Sequence, residues 1–319
     1  METAPEVLSA GIIVVDHVSA PIEHLPASGE LVLTRSCDLF IGGCAANVAI
    51  DLTKLGRRVA ILGNLGRDVL GEFAERTLRN LGIETSQLVF WDNSPTSQTL
   101  VVNVKGEDRR FIHLRGANDL LSAGQLSETL TPQTRVLYLG GLFLMDRLDP
   151  EEVSTLFRQA RKQGTTTVLD VVTPDGRDYG KSLQRILPET DFFLPNRDEA
   201  NLMTGLSDPW DQAQQFRDWG AGSVAITCGS AGSIFLSAND SFRAEAFAVP
   251  LVDGTGGGDA FSAGFISGLL DHLDASQCVA RGSALGASSV RRAGATEGVF
   301  TRDELEEFLA EQTLKVHPR

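Results

Sequence analysis

The chain has 319 residues, 42% of them hydrophobic, enough to bury about three quarters of the surface its unfolded form would expose. A formal charge of -14 and a pI near 4.8 exclude the clustered cations that non-specific nucleic-acid binding requires, and no stretch approaches the eighteen or so apolar residues of a membrane helix. Cys37, Cys44, Cys228 and Cys278 fall at irregular spacings with no paired C-x-x-C, so they read as free thiols rather than a zinc cage or a disulfide framework. The early run GIIVV follows acidic Glu2 and Glu6 with no basic segment, which is not a signal peptide; a cytoplasmic protein is expected.

In chain order, AGIIVVD reads as an apolar strand ending at Asp16. From about His17 to Phe40 the pattern alternates and turns partly polar, as in ELVLTRSCDLF. Gly42 and Gly43 then precede a helix expected from about Ala45 to Leu55, with Gly56 in the left-handed stop position. RVAILGNLG follows as a strand, and a second helix from about Val69 to Leu81 stops at Gly82. Residues from about Val89 to Arg115 alternate again, with a hairpin candidate at Lys105 to Asp108 where Gly106 supplies the turn. Beyond lie strands RVLYLGG, TTTVLDVV, DFFLPN and SVAITCG, and the helix DPEEVSTLFRQARKQG, acidic in its first turn, basic in its last and stopped by Gly164.

Continuous apolar strands alternating with helices predict an α/β fold whose mostly parallel sheet is covered on both faces. The two alternating segments, about 17-40 and 89-115, predict a small antiparallel lid on a single domain spanning 1-319, since no repeat, low-complexity tract or long linker interrupts the chain.

Near the C-terminus, VDGTGGGDAFSAGF sets Gly256, Gly257 and Gly258 directly before Asp259 and an apparent helix start. Glycines there let several N–H groups converge with the positive end of the helix dipole, which makes an anion site. An aspartate would be repelled by that anion, so its presence suggests a base taking a proton from a hydroxyl that attacks phosphorus. The competing reading is a flexible loop with an N-capping Asp. A dinucleotide fingerprint, matched weakly by Gly254 and Gly256, fails at Asp259; a P-loop fails because no Lys and Ser/Thr follow the glycines. At the other end, GGCAANVAIDLTKLG allows the same close backbone approach, with Asn47 offering one acceptor and two donors in the first helical turn.

Taken together, GGCAANVAIDLTKLG, NRDEA from Asn196, ITCGSAGSIF and DGTGGGDAFSAG resemble, in this order, the motifs of the PfkB or ribokinase-like carbohydrate kinases. The resemblance implies a three-layer α/β/α ribokinase-like fold and an ATP-dependent kinase acting on a primary hydroxyl. It gives Asp259 the role of base and Gly256 to Gly258 that of anion hole. It implies nucleotide contacts at Asn196, Thr227, Gly229 and Gly232, with Ala284 and Ala287 walling the adenine. Glu199 would act near Mg2+ through water, and Asp253 and Thr255 near a monovalent cation such as K+. Asp16, Gly42, Gly43 and Asn47 would hold the acceptor.

Each has a plainer reading. Asn196 and Glu199 suit a capping box, Asp253 and Thr255 a tight turn, and the alanines ordinary helix packing. Arg109 and Arg110 read as exposed strand charge, and His17, His24 and His113 lack ligand spacing. Two departures stand out: Cys44 where some sugar kinases carry lysine, and TPDGR after Asp170 where many carry asparagine. Asp170 thus remains a candidate for the metal and water network. A free monosaccharide such as ribose or fructose is the expected acceptor; a nucleoside kinase and a non-catalytic sugar- or nucleotide-binding regulator are the alternatives. A homodimer formed through the lid is also expected.

Overall fold

The computed structural model describes residues 4-107, 109-174 and 178-319. Its strands are β1 (Val7–Gly11), β2 (Val14–Ser19), β3 (Cys37–Gly42), β4 (Val59–Leu62), β5 (Asn64–Gly66), β6 (Val89–Trp91), β7 (Gln98–Val102), β8 (Arg110–Leu114), β9 (Val136–Gly140), β10 (Thr166–Leu169), β11 (Phe192–Phe193), β12 (Ser223–Thr227), β13 (Ser233–Leu236), β14 (Ser241–Ala244) and β15 (Val316–Pro318). The helices are α1 (Cys44–Lys54), α2 (Val69–Asn80), α3 (Ala123–Thr129), α4 (Pro150–Lys162), α5 (Tyr179–Ile186), α6 (Arg197–Thr204), α7 (Pro209–Asp218), α8 (Gly257–Leu270), α9 (Ala275–Ser289) and α10 (Arg302–Glu311).

Nine strands form the main sheet in the order β15-β14-β13-β12-β11-β10-β9-β1-β4. From β4 through β12 every pairing is parallel, and β13, β14 and β15 close one edge antiparallel. The central strands β1 and β9 are buried at every residue, as their unbroken apolar runs require of a sheet covered on both faces. Gly56, Gly82 and Gly164 adopt φ of 73°, 87° and 86°, so each helix stop read from the sequence is a left-handed glycine.

The first apolar run is two strands rather than one. At Gly11, φ is 135° and a Cβ would stand 2.1 Å from the Gly140 carbonyl oxygen, so the chain leaves the main sheet there. Asn118 clamps the break, accepting from Ile13 N at 3.2 Å and donating to Ile13 O at 3.0 Å. Asp16 therefore lies within β2 of a second sheet, not at the end of a main-sheet strand. That sheet, ordered β3-β2-β7-β8, is antiparallel at its outer pairings and parallel between β2 and β7.

It differs in extent from the segments expected. It begins at Val14, and residues 20-36 carry no strand beyond a bridge from Ile22 to Val104. Val89–Trp91 pairs with β5 instead, because the turn after β4 carries Asn64–Gly66 alongside it. The β7–β8 hairpin forms with Gly106 at φ 77°, although Asp108 of the expected turn, like Asp175, Gly176 and Arg177 of TPDGR, lies outside the described residues.

Aromatic packing supports the far side of the sheet. Phe216 of α7 is fully buried, its ring 4.9 Å from Phe193 and 5.6 Å from Trp219. Phe216→Ala is expected to lower the unfolding free energy by about 3–5 kcal/mol. Urea denaturation checks this; an unchanged midpoint would contradict the packing.

Candidate active site

Helix α8 is apolar nearly all round and buried from Ala260 to Gly268, so it needs contacts on every side. Glycines supply the close approach: a Cβ on Gly264 would stand 2.5 Å from the Arg281 carbonyl oxygen of α9. The helix opens at Gly256, whose φ of 76° caps it and whose missing Cβ avoids the Ala295 carbonyl oxygen at 2.3 Å. Gly257 and Gly258 are already helical and have ordinary φ, so the requirement for a left-handed glycine belongs to Gly256 alone. Beside Gly258 nothing lies within 4 Å of where a Cβ would stand. The first N–H groups of a helix have no partner within it, and the positive end of the helix dipole lies at this turn.

Asp259 follows in the same turn. Its Oδ2 accepts from Asn47 Nδ2 at 2.8 Å, which brings the two glycine turns together across 212 residues. The Cys44 sulfur lies within 4.8 Å of this carboxylate. Burial raises the Asp259 pKa above its ordinary value, and Asn47 and Cys44 pull it back toward the charged form. Cys44 itself is held well above the usual thiol range by burial and by Asp259, Asp170 and Glu199, so it stays a neutral thiol.

Asp170, at the end of β10, completes a compact cluster: ligand atoms of Cys44, Asp170 and Asp259 lie within 4.8 Å of one another. Asp170 Oδ2 accepts from the buried Tyr138 hydroxyl at 3.0 Å, and Oδ1 from Val171 N at 2.9 Å. Burial, then Glu199 and Asp259, push its pKa well up. Burial raises Glu199 to about 7, with Asp259 adding to the effect. Burial is thus the leading cause at all three carboxyls, and Asp259 adds to it at Asp170 and Glu199.

The remaining candidates fall around this cluster, beyond the C-terminal ends of parallel strands, where ligands of open α/β sheets bind. Asn196 caps α6 and forms the reciprocal capping box with Glu199: Asn196 N donates to Glu199 Oε2 at 2.9 Å, and Asn196 Oδ1 accepts from Glu199 N at 2.9 Å. Asn196 also bridges to Thr227 at the end of β12, and the exposed turn Gly229–Ala231 follows. Gly232 is buried, with a φ of 87° and no room for a Cβ against the Ala244 carbonyl oxygen at 2.0 Å. Ala287 is half-buried, whereas Ala284 is fully buried. On the other flank, a Cβ on Gly42 would come 2.2 Å from Asp16 Oδ2, and Gly43, at φ 91°, opens α1.

Asp253 and Thr255 form a tight turn. Asp253 Oδ1 accepts from Thr255 N at 2.9 Å and Thr255 Oγ1 at 2.7 Å, and Oδ2 from Gly294 N at 3.0 Å. Arg109 completes the set with an ion pair to Asp253, so it is not the free strand charge its sequence context suggests.

A family model described as "pfkB family carbohydrate kinase" matches residues 4–302. The chain belongs to that family. It is 26% identical to the 5-dehydro-2-deoxygluconokinase of Clostridium botulinum over 324 residues, covering 96% of this chain and 93% of that protein. It is 29% identical to the 2-dehydro-3-deoxygluconokinase of Bacillus subtilis over 282 residues, with 85% and 87% covered. The ribokinase of Arabidopsis thaliana, solved with ribose and ATP, shares the fold with a TM-score of 0.81 at 21% identity, covering 96% of this chain and 99% of that one. This is a carbohydrate kinase with the ribokinase-like fold, and among its described residues no helix is long and apolar enough to cross a membrane.

The kinase family's motifs led to Asp259, Asn47, Asn196 and Glu199 but not to Tyr138, which meets Asp170 from the neighbouring strand, or to the neutral thiol of Cys44 at the start of α1. A carboxyl whose pKa is raised by folding binds more protons in the native state, so it costs stability as pH climbs from its unfolded to its folded value. For Glu199 that window runs from 4.5 to about 7. In metal-free buffer Glu199→Gln is therefore expected to melt several degrees above wild type at about pH 8 and close to it below pH 4.5. Parallel melting curves across pH would contradict the buried-charge account.

Proposed function

We propose that this kinase transfers the γ-phosphoryl group of ATP to a primary hydroxyl of a free monosaccharide of the ribose or fructose kind. The observation that carries the reading is the carboxylate of Asp259 in the first turn of α8, two residues from the glycine opening of that helix and held by Asn47 from the other glycine turn. Asp259 takes the hydroxyl proton as the new O–P bond forms and the bridge to ADP breaks, while the backbone of Gly256 to Gly258 holds the transferring oxygens. Asp16, Gly42, Gly43 and Asn47 orient the acceptor. Asn196, Thr227, Gly229, Gly232 and Ala287 form the nucleotide side, with Ala284 behind it.

The donor set near Asp259 suits Mg2+. It is built of hard carboxylate oxygens, raised in pKa first by burial, beside a thiol kept neutral. Glu199, through water, and Asp170 would hold the ion, which neutralises charge on the phosphates when bound. A monovalent cation at Asp253 and Thr255 would have to share that carboxylate with Arg109.

A sugar-acid acceptor is the second reading, favoured by two relatives named as deoxygluconokinases. We place the enzyme in the cytoplasm, acting as one domain whose second sheet serves as a lid.

Asp259→Asn is expected to bind ATP nearly as wild type and to lose about 10²- to 10⁴-fold in kcat. Coupled ADP-release assays with pentoses, hexoses, sugar acids and nucleosides test both the role and the acceptor. Near wild-type turnover in the variant would refute the assignment.

The lid also supports a homodimer. In register across its outer face stand Leu39, His17, Leu100 and Ile112, and the three aliphatic residues are 41%, 43% and 66% exposed. Such a row exceeds what a solvated face needs and suits a second copy of itself. Light scattering is expected to give a dimer for wild type and a monomer for Leu100→Glu, with a raised KM for the acceptor. A monomeric wild type at micromolar concentration would sink this element.

A further inference from the structure

Helix α1 encloses an acid that the phosphoryl transfer above does not use. Asp51 is 0% exposed, and among the described residues neither of its carboxyl oxygens has a hydrogen-bond partner. Lys54, the cation of the same helix, donates instead to the Thr296 carbonyl oxygen at 2.5 Å. Of the elements packed against α1, β1 and β4 carry no ionisable side chain and α8 carries Asp259 alone. Tyr138 of β9 gives its hydroxyl to Asp170, and Cys37 and Asp38 of β3 are exposed. A carboxylate enclosed with neither donor nor cation is too costly to persist, so Asp51 is a neutral carboxylic acid. Burial pushes its pKa well up, with Lys54 lowering it and Asp259 raising it.

A neutral acid has one proton to place. One turn earlier on the same face stands Asn47, 4% exposed, whose Oδ1 is likewise without a partner among the described residues. Side chains of a helix lean toward its N-terminus, which tilts Asp51 toward Asn47. The nitrogen of that amide is already committed, because Nδ2 donates to Asp259 Oδ2 at 2.8 Å. A single proton between the two orphaned acceptors gives each a partner. A donor at Oδ1 also matters to the base: an amide turned over would set its oxygen against the Asp259 carboxylate and oppose the charge the base must carry.

We infer that Asp51 is a positioning residue: it stays protonated in the folded enzyme and donates to Asn47 Oδ1, which locks the amide with Nδ2 on the base. This rests on Asp259 being the base of the proposed reaction. Asp51 touches neither sugar nor nucleotide and acts through Asn47 alone. Being neutral, it adds no charge to the cluster of Asp170, Glu199 and Asp259. An amide side chain in its place can make the same bond, whereas an aliphatic one cannot.

Two measurements on the full chain test this: infrared spectra in D2O at about pH 8, and the pH dependence of kcat/KM with D-ribose or D-fructose. The wild-type spectrum minus that of Asp51→Asn is expected to show the carbonyl band of one unionised carboxylic acid. Asp51→Asn, whose amide N–H replaces the lost proton, should keep both the turnover and the acid limb of wild type. Asp51→Leu, close in volume but without a donor, should move that limb to higher pH by about half a unit, the worth of one net hydrogen bond, with the KM for ATP within about twofold of wild type. Asp51→Leu combined with Asn47→Ala should shift the limb no further than Asn47→Ala alone. A missing band would mean an ionised Asp51 held by a buried water or cation and would overturn the inference; so would an Asp51→Leu limb that coincides with that of wild type. Near wild-type turnover in Asp259→Asn would instead remove the base assignment, and the infrared comparison, which needs only Asp51→Asn, would still decide whether Asp51 keeps its proton.

Discussion

One hydrogen bond, from Asn47 Nδ2 to Asp259 Oδ2 at 2.8 Å, joins the two glycine turns of the chain, and the site exists only where they meet. Neither helix could be moved aside to loosen it. Helix α1 is buried at every residue from Cys44 to Leu52, and α8 from Ala260 to Gly268, so both are fixed by the core. Gly43 and Gly256 let the chain enter those helices at angles that no other residue reaches cheaply. The scaffold sets the helices, the helices set the turns, and the turns set the base against its acceptor side.

The cost of the arrangement is concentrated charge. Asp170, Glu199 and Asp259 converge at one place, where burial raises the pKa of all three; Asp259 adds to the rise at Asp170 and Glu199, and Glu199 to that at Asp170. Hydrogen bonds from Tyr138, Val171, Asn196 and Asn47 offset part of that cost without removing it. Such a site is incomplete without positive charge, and a hard divalent cation carrying nucleotide phosphates answers the need. Cys44 contributes a compact neutral thiol where a lysine would have brought a permanent charge.

What could be read from the sequence was what is encoded locally. Helix stops at Gly56, Gly82 and Gly164, the cap formed by Asn196 and Glu199, and the glycine run before Asp259 each depend on a few consecutive residues. What escaped depends on neighbours far along the chain. The break at Gly11 is forced by the Gly140 carbonyl on the adjacent strand, so nothing within AGIIVVD announces it. Arg109 reaches Asp253 from 144 residues away. Ala284 shows a related limit: small residues line both ligand walls and helix contacts, and only its complete burial marks the packing here.

The central claim is that Asp259 acts as a base whose proton affinity is set by burial and trimmed by Asn47. The pH dependence of kcat/KM for the acceptor reports on it directly, because that ratio titrates the essential groups of the free enzyme. The account requires a rising limb with its midpoint above 3.8, the ordinary carboxyl value, and a shift of that limb to higher pH in Asn47→Ala, where a donor to the charged form is lost. A rate that stays flat down to about pH 4, or a midpoint that does not move when Asn47 is removed, would contradict it.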